Sequence, residues 1–292
     1  MPVAASFLEA ERHLSDPGLD ALVLDVGLPP RPQVLVDLSR ELGSDEPDLT
    51  RVARCVASDV ALTAAMLKLA NSPAYGSSRR IETLNQALNM LGLKQVGVMV
   101  TSLVMRKVLR TDGPQLTRFW DVSAKRSWAL ATLARSLKGV DVDVAQTFGL
   151  FCDVGIPLLM QRFSGYTKVL QAANVDTEQS FTQVEQVHMQ TDHALIGALM
   201  ARSWGVSQTV CLAIRLHHDY AVFLDPNVPD AVARLVAMGL IAEAAIQNFA
   251  GMNTSTEWAK GGDSAMGALM LSEDDMHDWL GQLVQGFSSG TA

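Results

Sequence analysis

The sequence predicts an all-α protein, and three observations support this fold class. Apolar residues recur at helical spacing through most of the chain, as at Leu35, Leu38 and Leu42. No stretch of alternating polar and apolar residues is long enough to predict a strand. Apolar residues make up 48% of the 292 residues and aromatic residues only 6%, so small aliphatic side chains supply a core suited to closely packed helices.

The first third of the chain divides into short amphipathic helices. We expect a helix at Phe7–Leu14, then a turn at Asp16-Pro17-Gly18, and an extended entry through the prolines of Gly27–Pro32. Asp48 and Asp59 can each cap a following helix through a side-chain oxygen. The helices expected after the prolines start near Val34, Leu49 and Val60, followed by a loop at Tyr75-Gly76 and helices at Ile81–Leu91 and Val96–Leu109.

The last third predicts two helices separated by a loop. An apolar helix covers Ala231–Phe249 after a proline-bounded loop. The small and polar residues of Gly251–Ser264, which include Gly261-Gly262, predict a flexible loop. A final helix runs from about Ser272 to Val284, and we expect the tail Gly286–Ala292 to be frayed.

Charge and cysteine content limit the class of protein. The net charge is −8, and basic residues form only short pairs such as Lys125-Arg126, which we interpret as a solvated helix face, so nucleic acid is disfavoured as a partner. Three scattered cysteines do not make a disulfide framework. The N-terminus lacks a signal pattern, and the apolar stretch Val96–Met105 is too short to span a membrane. We expect a soluble cytoplasmic protein with no membrane partner.

The stretch Gly149–Leu159 combines an apolar helix end with a carboxylate. Phe151 is followed by Cys152 and Asp153, and a glycine and a proline then restart the chain. A carboxylate in apolar surroundings costs on the order of several kcal/mol unless it is paired, hydrogen-bonded or bound to a metal. We therefore expect Asp153 to have a partner, and the candidates are His193 and the pair His217-His218.

An ordered series of motifs surrounds these residues. Its members are Leu28-Pro29-Pro30-Arg31-Pro32, Ser58–Thr63, Leu69–Ser72, Tyr75-Gly76, Leu91-Gly92-Leu93, Phe119-Trp120, Gly149–Gly155, His193–Ala198, Trp204-Gly205 and His217-His218. The series resembles HDOD domains, the HD-related output domains of bacterial signalling proteins and degenerate relatives of the HD and HD-GYP phosphohydrolases.

The resemblance implies a multi-helix HDOD fold over about residues 22–220. It implies an N-terminal helical lobe at 22–112 packed on a degenerate HD-like helical lobe at 113–220. Residues 1–21 are then an N-terminal extension, and the C-terminal helices of 221–292 complete the HD-like lobe.

The resemblance also implies a ligand set, and this chain departs from it. The position of the first ligand histidine holds Val122, and the histidine of the His-Asp pair is replaced by Cys152. Ile156 stands where active relatives often carry a lysine, and the last ligand aspartate falls near Met238-Gly239. A hydrolytic site that holds its ions and an open position for water needs more ligands than this. We therefore expect no enzymatic activity and no catalytic residue.

The remaining polar residues have structural interpretations as well. His193 can be a satisfied polar residue at a helix start capped by Asp192 or Thr191. His217 and His218 near a helix C-terminus are favoured by the helix dipole, and both reach one ion only if the helix ends there. Cys152 is expected to be buried and inert. Thr182–Glu185 matches a capping box, which gives Glu185 a structural role.

Cys152, Asp153, His193, His217 and His218 are therefore candidates for a vestigial metal site. We expect no bound metal and no cofactor.

The function implied by the resemblance is that of a non-enzymatic signal-transduction module acting through protein contacts. Its partner would be supplied in trans, such as a diguanylate cyclase, a sensor kinase or a response regulator. Two alternatives belong to other classes of protein. One is a metal-dependent phosphohydrolase or cyclic-nucleotide phosphodiesterase with a modified HD site, and the other is a nucleotide-binding module without turnover.

Overall fold

The computed structural model describes residues 7–16, 27–72, 80–109, 114–251 and 256–289, and every regular element in these ranges is helical. The prediction of an all-α fold is confirmed. The chain forms two compact units: residues 29–110 with 289–292 make the smaller one, and residues 1–28 with 111–288 make the larger one. The predicted lobe boundary at residues 112 and 113 lies outside the described residues, as do Pro17-Gly18 and Tyr75-Gly76.

Within the described residues, the smaller unit consists of five helices, three of which begin at a side-chain cap. Its helices are α2 (Gln33–Leu42), α3 (Leu49–Ala57), α4 (Val60–Ala70), α5 (Leu84–Leu91) and α6 (Leu93–Val108). The predicted caps are confirmed, because Asp48 accepts from the Thr50 amide and Asp59 from the Leu62 amide. Gly92 ends α5 at a φ of +78°, a conformation that glycine adopts without strain.

Asn71 ties the end of α4 to the chain leading into α5. Its amide nitrogen donates to the carbonyls of Leu67 and Ile81, and its Oδ1 accepts from the Ile81 amide, each at 2.8 Å. One side chain therefore satisfies both backbone groups of Ile81, whereas the Leu67 carbonyl also accepts from the Asn71 amide.

Asn71→Ala should destabilise the smaller unit by about 1–2 kcal/mol, because these backbone groups lose their partner at a partly solvated position. Hydrogen exchange of the amides in residues 29–110 would measure the loss. Asn85→Ala is the matched control, since Asn85 is exposed on α5. Equal protection in the two variants would contradict this role of Asn71.

The larger unit contains α1 and all the helices after residue 113. They are α1 (Phe7–Ser15), α7 (Pro114–Ser136), α8 (Val142–Phe151), α9 (Gly155–Arg162), α10 (Tyr166–Val175), α11 (Phe181–Met189), α12 (His193–Ser203), α13 (Gln208–Leu216), α14 (Asp230–Ala250), α15 (Glu257–Leu269) and α16 (Glu273–Ser288). A 3-10 turn at Tyr220–Phe223 follows α13. The long helices α7 and α14 pack against each other, and α8 packs against both.

The predicted loop at Gly251–Ser264 is wrong in its second half. Residues 257–264 belong to α15, and Gly261 and Gly262 are buried within it. A Cβ at Gly261 would lie 2.5 Å from the Tyr220 ring, so this glycine allows the close approach of α15 to the 3-10 turn. Residues 252–255 lie outside the described ranges.

Among the described residues, two unbroken stretches have the length and apolarity of a membrane span, and both are longer than Val96–Met105. They are Val142–Arg162, which includes α8 and α9, and Asp230–Ala250, which is α14. In the most apolar 18-residue window of each stretch, 67% of the residues are buried inside the fold for Val142–Arg162 and 61% for Asp230–Ala250. Packing of these helices in the protein core accounts for most of their apolar side chains.

Candidate functional site

The turn between α8 and α9 positions Asp153. Helix α8 ends at Phe151, Cys152 and Asp153 follow in the turn, and α9 begins at Gly155. A Cβ at Gly155 would lie 2.0 Å from the carbonyl oxygen of His193, so only glycine permits this approach. The turn therefore lies directly against the start of α12, where His193 begins the helix.

Asp153 has the partners that the sequence predicts. Its Oδ1 lies 3.3 Å from Nε2 of His217 and 3.6 Å from Nε2 of His193. Its Oδ2 forms an ion pair of 2.8 Å with Nη2 of Arg126. Burial by itself would raise the pKa of Asp153, but Arg126 and the two histidines outweigh it and hold the pKa well below its usual range.

The prediction that Arg126 lies on a solvated helix face is wrong. Arg126 is only 5% exposed and also forms a 2.6 Å ion pair with Glu243 on α14. Burial opposes its charge, yet Asp153 and Glu243 raise its pKa, so Arg126 is a fixed cation between two carboxylates. The partners lie 27 and 117 residues away in the sequence, and no local pattern around Lys125-Arg126 indicates them.

His193 is oriented by a buried carboxylate that the sequence analysis treated as a capping residue. The capping box of α11 is formed by Ser180 and Gln183, so the predicted box at Thr182–Glu185 is wrong. Glu185 is fully buried and accepts from the His193 amide at 3.1 Å, with its Oε2 2.6 Å from His193 Nδ1. The Tyr166 hydroxyl also donates to Glu185. Asp192 caps α12, as predicted.

His217 and His218 follow the last residue of α13, which meets the condition for both to face one point. Nδ1 of His217 lies 2.7 Å from the carbonyl oxygen of Ile214, and Nδ1 of His218 lies 2.7 Å from Oε2 of Glu257. Glu257 on α15 also accepts from the Tyr220 hydroxyl. The carbonyl oxygen of Ile214 can only accept a hydrogen bond, so the ring proton of His217 is on Nδ1.

The geometry brings four side chains around one point. One ring nitrogen of each histidine and a carboxylate oxygen of Asp153 all lie within 4.8 Å of one another. Nε2 of His193 and Nε2 of His217 are 3.1 Å apart, and Asp153 Oδ1 is 3.6 and 3.3 Å from them. Ligands in a tetrahedral site with bonds of about 2.0–2.1 Å are about 3.3 Å apart, so the spacings among His193, His217 and Asp153 fit a single metal ion.

The acceptors behind the imidazoles complete this fit. Each histidine has an acceptor near Nδ1, namely Glu185, the carbonyl of Ile214 or Glu257. With the proton on Nδ1, the Nε2 lone pair is free to bind a metal, and such acceptors hold the ring in place. Three imidazoles and one carboxylate suit Zn²⁺, Fe²⁺ or a similar transition metal.

Cys152 lies beside the cluster but outside the group of four. It is 3% exposed, as predicted for a buried cysteine, and it contacts His217. Burial would lower the pKa of His217, but Cys152 and Asp153 outweigh it and raise the pKa. Glu185 and Asp153 do the same for His193.

A cavity of about 240 Å³ opens onto the cluster. Val122, Ile156 and Gly239 line it, together with Cys152. These are the positions where the resemblance places a ligand histidine, a lysine and a ligand aspartate, and the residues present offer no side-chain donor atom there. A Cβ at Gly239 would lie 3.0 Å from the Phe148 ring, which leaves little room for a longer side chain there.

The helical fold and the cavity behind Cys152-Asp153 define a protein of the HD-like helical class. The chain belongs to the HDOD domain family, whose model matches residues 28–220. This match confirms the resemblance found in the sequence.

Several solved structures share the fold. A protein of Marinobacter aquaeolei VT8 named as a candidate signal transduction protein is 20% identical with a TM-score of 0.72, covering 98% of this chain and 64% of its own. A candidate phosphohydrolase of Shewanella amazonensis SB2B is 21% identical with a TM-score of 0.70, covering 93% and 96%. An HDOD domain protein of unknown function from Geobacter sulfurreducens is 20% identical with a TM-score of 0.67, covering 90% and 91%.

A curated relative is an uncharacterised protein of Treponema pallidum (strain Nichols). It is 23% identical over 225 residues, which are 75% of this chain and 42% of that protein. This chain therefore spans less than half the length of the curated relative and about two thirds of the Marinobacter protein.

Proposed function

We propose that this protein is a non-catalytic signal-transduction regulator whose HD-like cavity holds one divalent metal ion. The ligands are Nε2 of His193, His217 and His218 and a carboxylate oxygen of Asp153. The observation that carries the proposal is the spacing of the donors of His193, His217 and Asp153, which matches a single ion, with His218 in the same cluster. It departs from the expectation of no bound metal, which rested on residues lost at positions outside this group.

The missing donors argue against hydrolysis. A two-metal phosphohydrolase needs ligands for a second ion about 3.5–4 Å from the first and a water between them. Val122 and Gly239 offer no donor on the side of the cavity where such ligands would lie. Asp153 forms an ion pair with Arg126 through Oδ2, so this second carboxylate oxygen already has a cationic partner.

Elemental analysis of protein purified without chelator, with Mn, Fe and Zn supplied during expression, should give close to one transition-metal ion per chain. Asp153→Asn and His193→Gln should each reduce the occupancy at least about tenfold, because each removes a ligand or its charge. Asp121→Asn is the matched control, since Asp121 is an exposed carboxylate on α7. Metal-free wild-type protein, or equal metal in all variants, would refute the site.

Hydrolysis is tested on the same samples with bis(p-nitrophenyl) phosphate. We expect no turnover by the metal-loaded protein above that of the Asp153→Asn variant. Turnover that depends on the metal and is lost in this variant would show that the protein is a phosphohydrolase.

The signalling role is proposed from membership of the HDOD family and from the fold shared with the Marinobacter signal transduction protein. The protein would transmit its signal by contacting a separate signalling protein supplied in trans. Cross-linking in cells should capture such a partner with the wild-type protein and less of it with Asp153→Asn at matched folded protein. Capture that is independent of the metal ligands would separate the partner surface from the cavity.

A further inference from the structure

We propose that the cavity beside the metal cluster binds a small apolar monocarboxylate. The inference rests on the proposed metal site and specifies the ligand of that cavity. A dry apolar cavity of about 150 Å³ holds benzene, so 240 Å³ corresponds to about ten non-hydrogen atoms. A mononucleotide has more than twice that number and does not fit inside.

The side chains that line the cavity favour a ligand with an apolar body. The apolar lining residues include Phe119, Val122, Phe148, Ile156 and Leu240. They belong to α7, α8, α9 and α14, so apolar side chains face the cavity from several directions. A ribose or a second phosphate against these side chains would lose hydrogen bonds to water without replacement, which is unfavourable.

The charges of the lining residues favour a ligand with a single negative charge. The titratable lining side chains besides Cys152, Tyr220 and the histidines are Arg118, Arg126, Asp153, Glu243 and Glu257. Three carboxylates and two guanidiniums leave one negative charge, and a divalent ion on neutral histidines turns this into one positive charge. A monoanion therefore neutralises the loaded cavity, whereas a phosphate with two charges overcompensates it.

Arg118 is the cation available to the ligand. It is exposed on α7, one helical turn before Val122, and lines both this cavity and a neighbouring depression. Within the described residues no carboxylate lies within ion-pair distance of it, whereas Arg126 is held by Asp153 and Glu243. A ligand carboxylate can bind Arg118 while its apolar chain remains in the cavity.

Titration calorimetry of the full-length, metal-loaded protein with octanoate, which has ten non-hydrogen atoms, tests the proposal. Octanamide has the same size without the charge and should bind at least about tenfold more weakly. Arg118→Gln should weaken octanoate about tenfold, while the matched variant Arg135→Gln, exposed on the same helix, should not. Val122→Phe should abolish octanoate binding by filling the cavity but keep the metal.

The outcomes separate this inference from the proposed function. Normal metal content with no octanoate binding, or with equal binding of octanamide, overturns the ligand assignment and leaves the metal site intact. Tighter binding of guanosine monophosphate than of octanoate also overturns it. Absence of metal in the wild-type protein overturns both. Octanoate binding that survives Val122→Phe places the ligand elsewhere on the protein and overturns the cavity assignment.

Discussion

Gly155→Ala is expected to reduce the free energy of unfolding of the larger unit by more than about 3 kcal/mol. The new methyl group would lie 2.0 Å from the carbonyl oxygen of His193 and within 3 Å of two further backbone atoms of that residue. Backbone atoms cannot rotate away as a side chain can, so α9 and α12 must separate. Chemical denaturation measures the loss, and metal content should fall as well because His193 moves away from Asp153.

Gly281→Ala is the matched control for this substitution. Gly281 lies inside α16, and a Cβ there would meet no atom within 4 Å. Alanine in an open helical position is expected to stabilise the protein by about 0.5–1 kcal/mol. Similar stability of the two variants would mean that α9 and α12 are not held as closely as the structure places them.

His193→Ala is expected to cost about 3–5 kcal/mol of unfolding free energy in the metal-free protein. His193 and Glu185 are both completely buried, and the ring lies between the carboxylates of Glu185 and Asp153. Without the imidazole, Glu185 keeps the hydrogen bonds from Tyr166 and the backbone but loses its charged partner. Denaturation in the presence of EDTA isolates this effect from the loss of the metal.

A double-mutant cycle identifies the cause of that loss. If the buried charge of Glu185 is responsible, adding Glu185→Gln to His193→Ala should restore part of the stability, although Glu185→Gln alone destabilises the protein. His188→Ala on the exposed face of α11 should have little effect. Additive losses in the cycle would show that the cost comes from the empty space left by the ring.

Much of the fold follows from local sequence patterns. The caps at Asp48, Asp59 and Asp192 and the end of α13 at His217 were predictable, because each depends on residues within one helical turn. The partnership of Asp153 with the histidines was also predictable, since an acid in an apolar segment requires one.

The parts that were missed depend on distant residues. Arg126 looked like a surface cation because its partner Glu243 lies 117 residues further along the chain. Glu185 looked like a cap because nothing near it indicates that it meets His193 inside the core. The first part of helix α15 was predicted as a loop because Gly261-Gly262 resembles a turn, whereas Gly261 leaves room for the ring of Tyr220 and Gly262 for the ring of Trp258.

The acceptors behind the histidines come from three separate stretches of the chain, and Glu257 lies 37 residues beyond the end of the family match at residue 220. A gene fragment cut at that boundary would encode both histidines that follow α13 without the carboxylate that orients His218, and without Glu243, which balances Arg126. Recombination that exchanged only the matched segment would therefore transfer an incomplete cavity. The residues that form this site therefore extend beyond the segment by which the family is recognised.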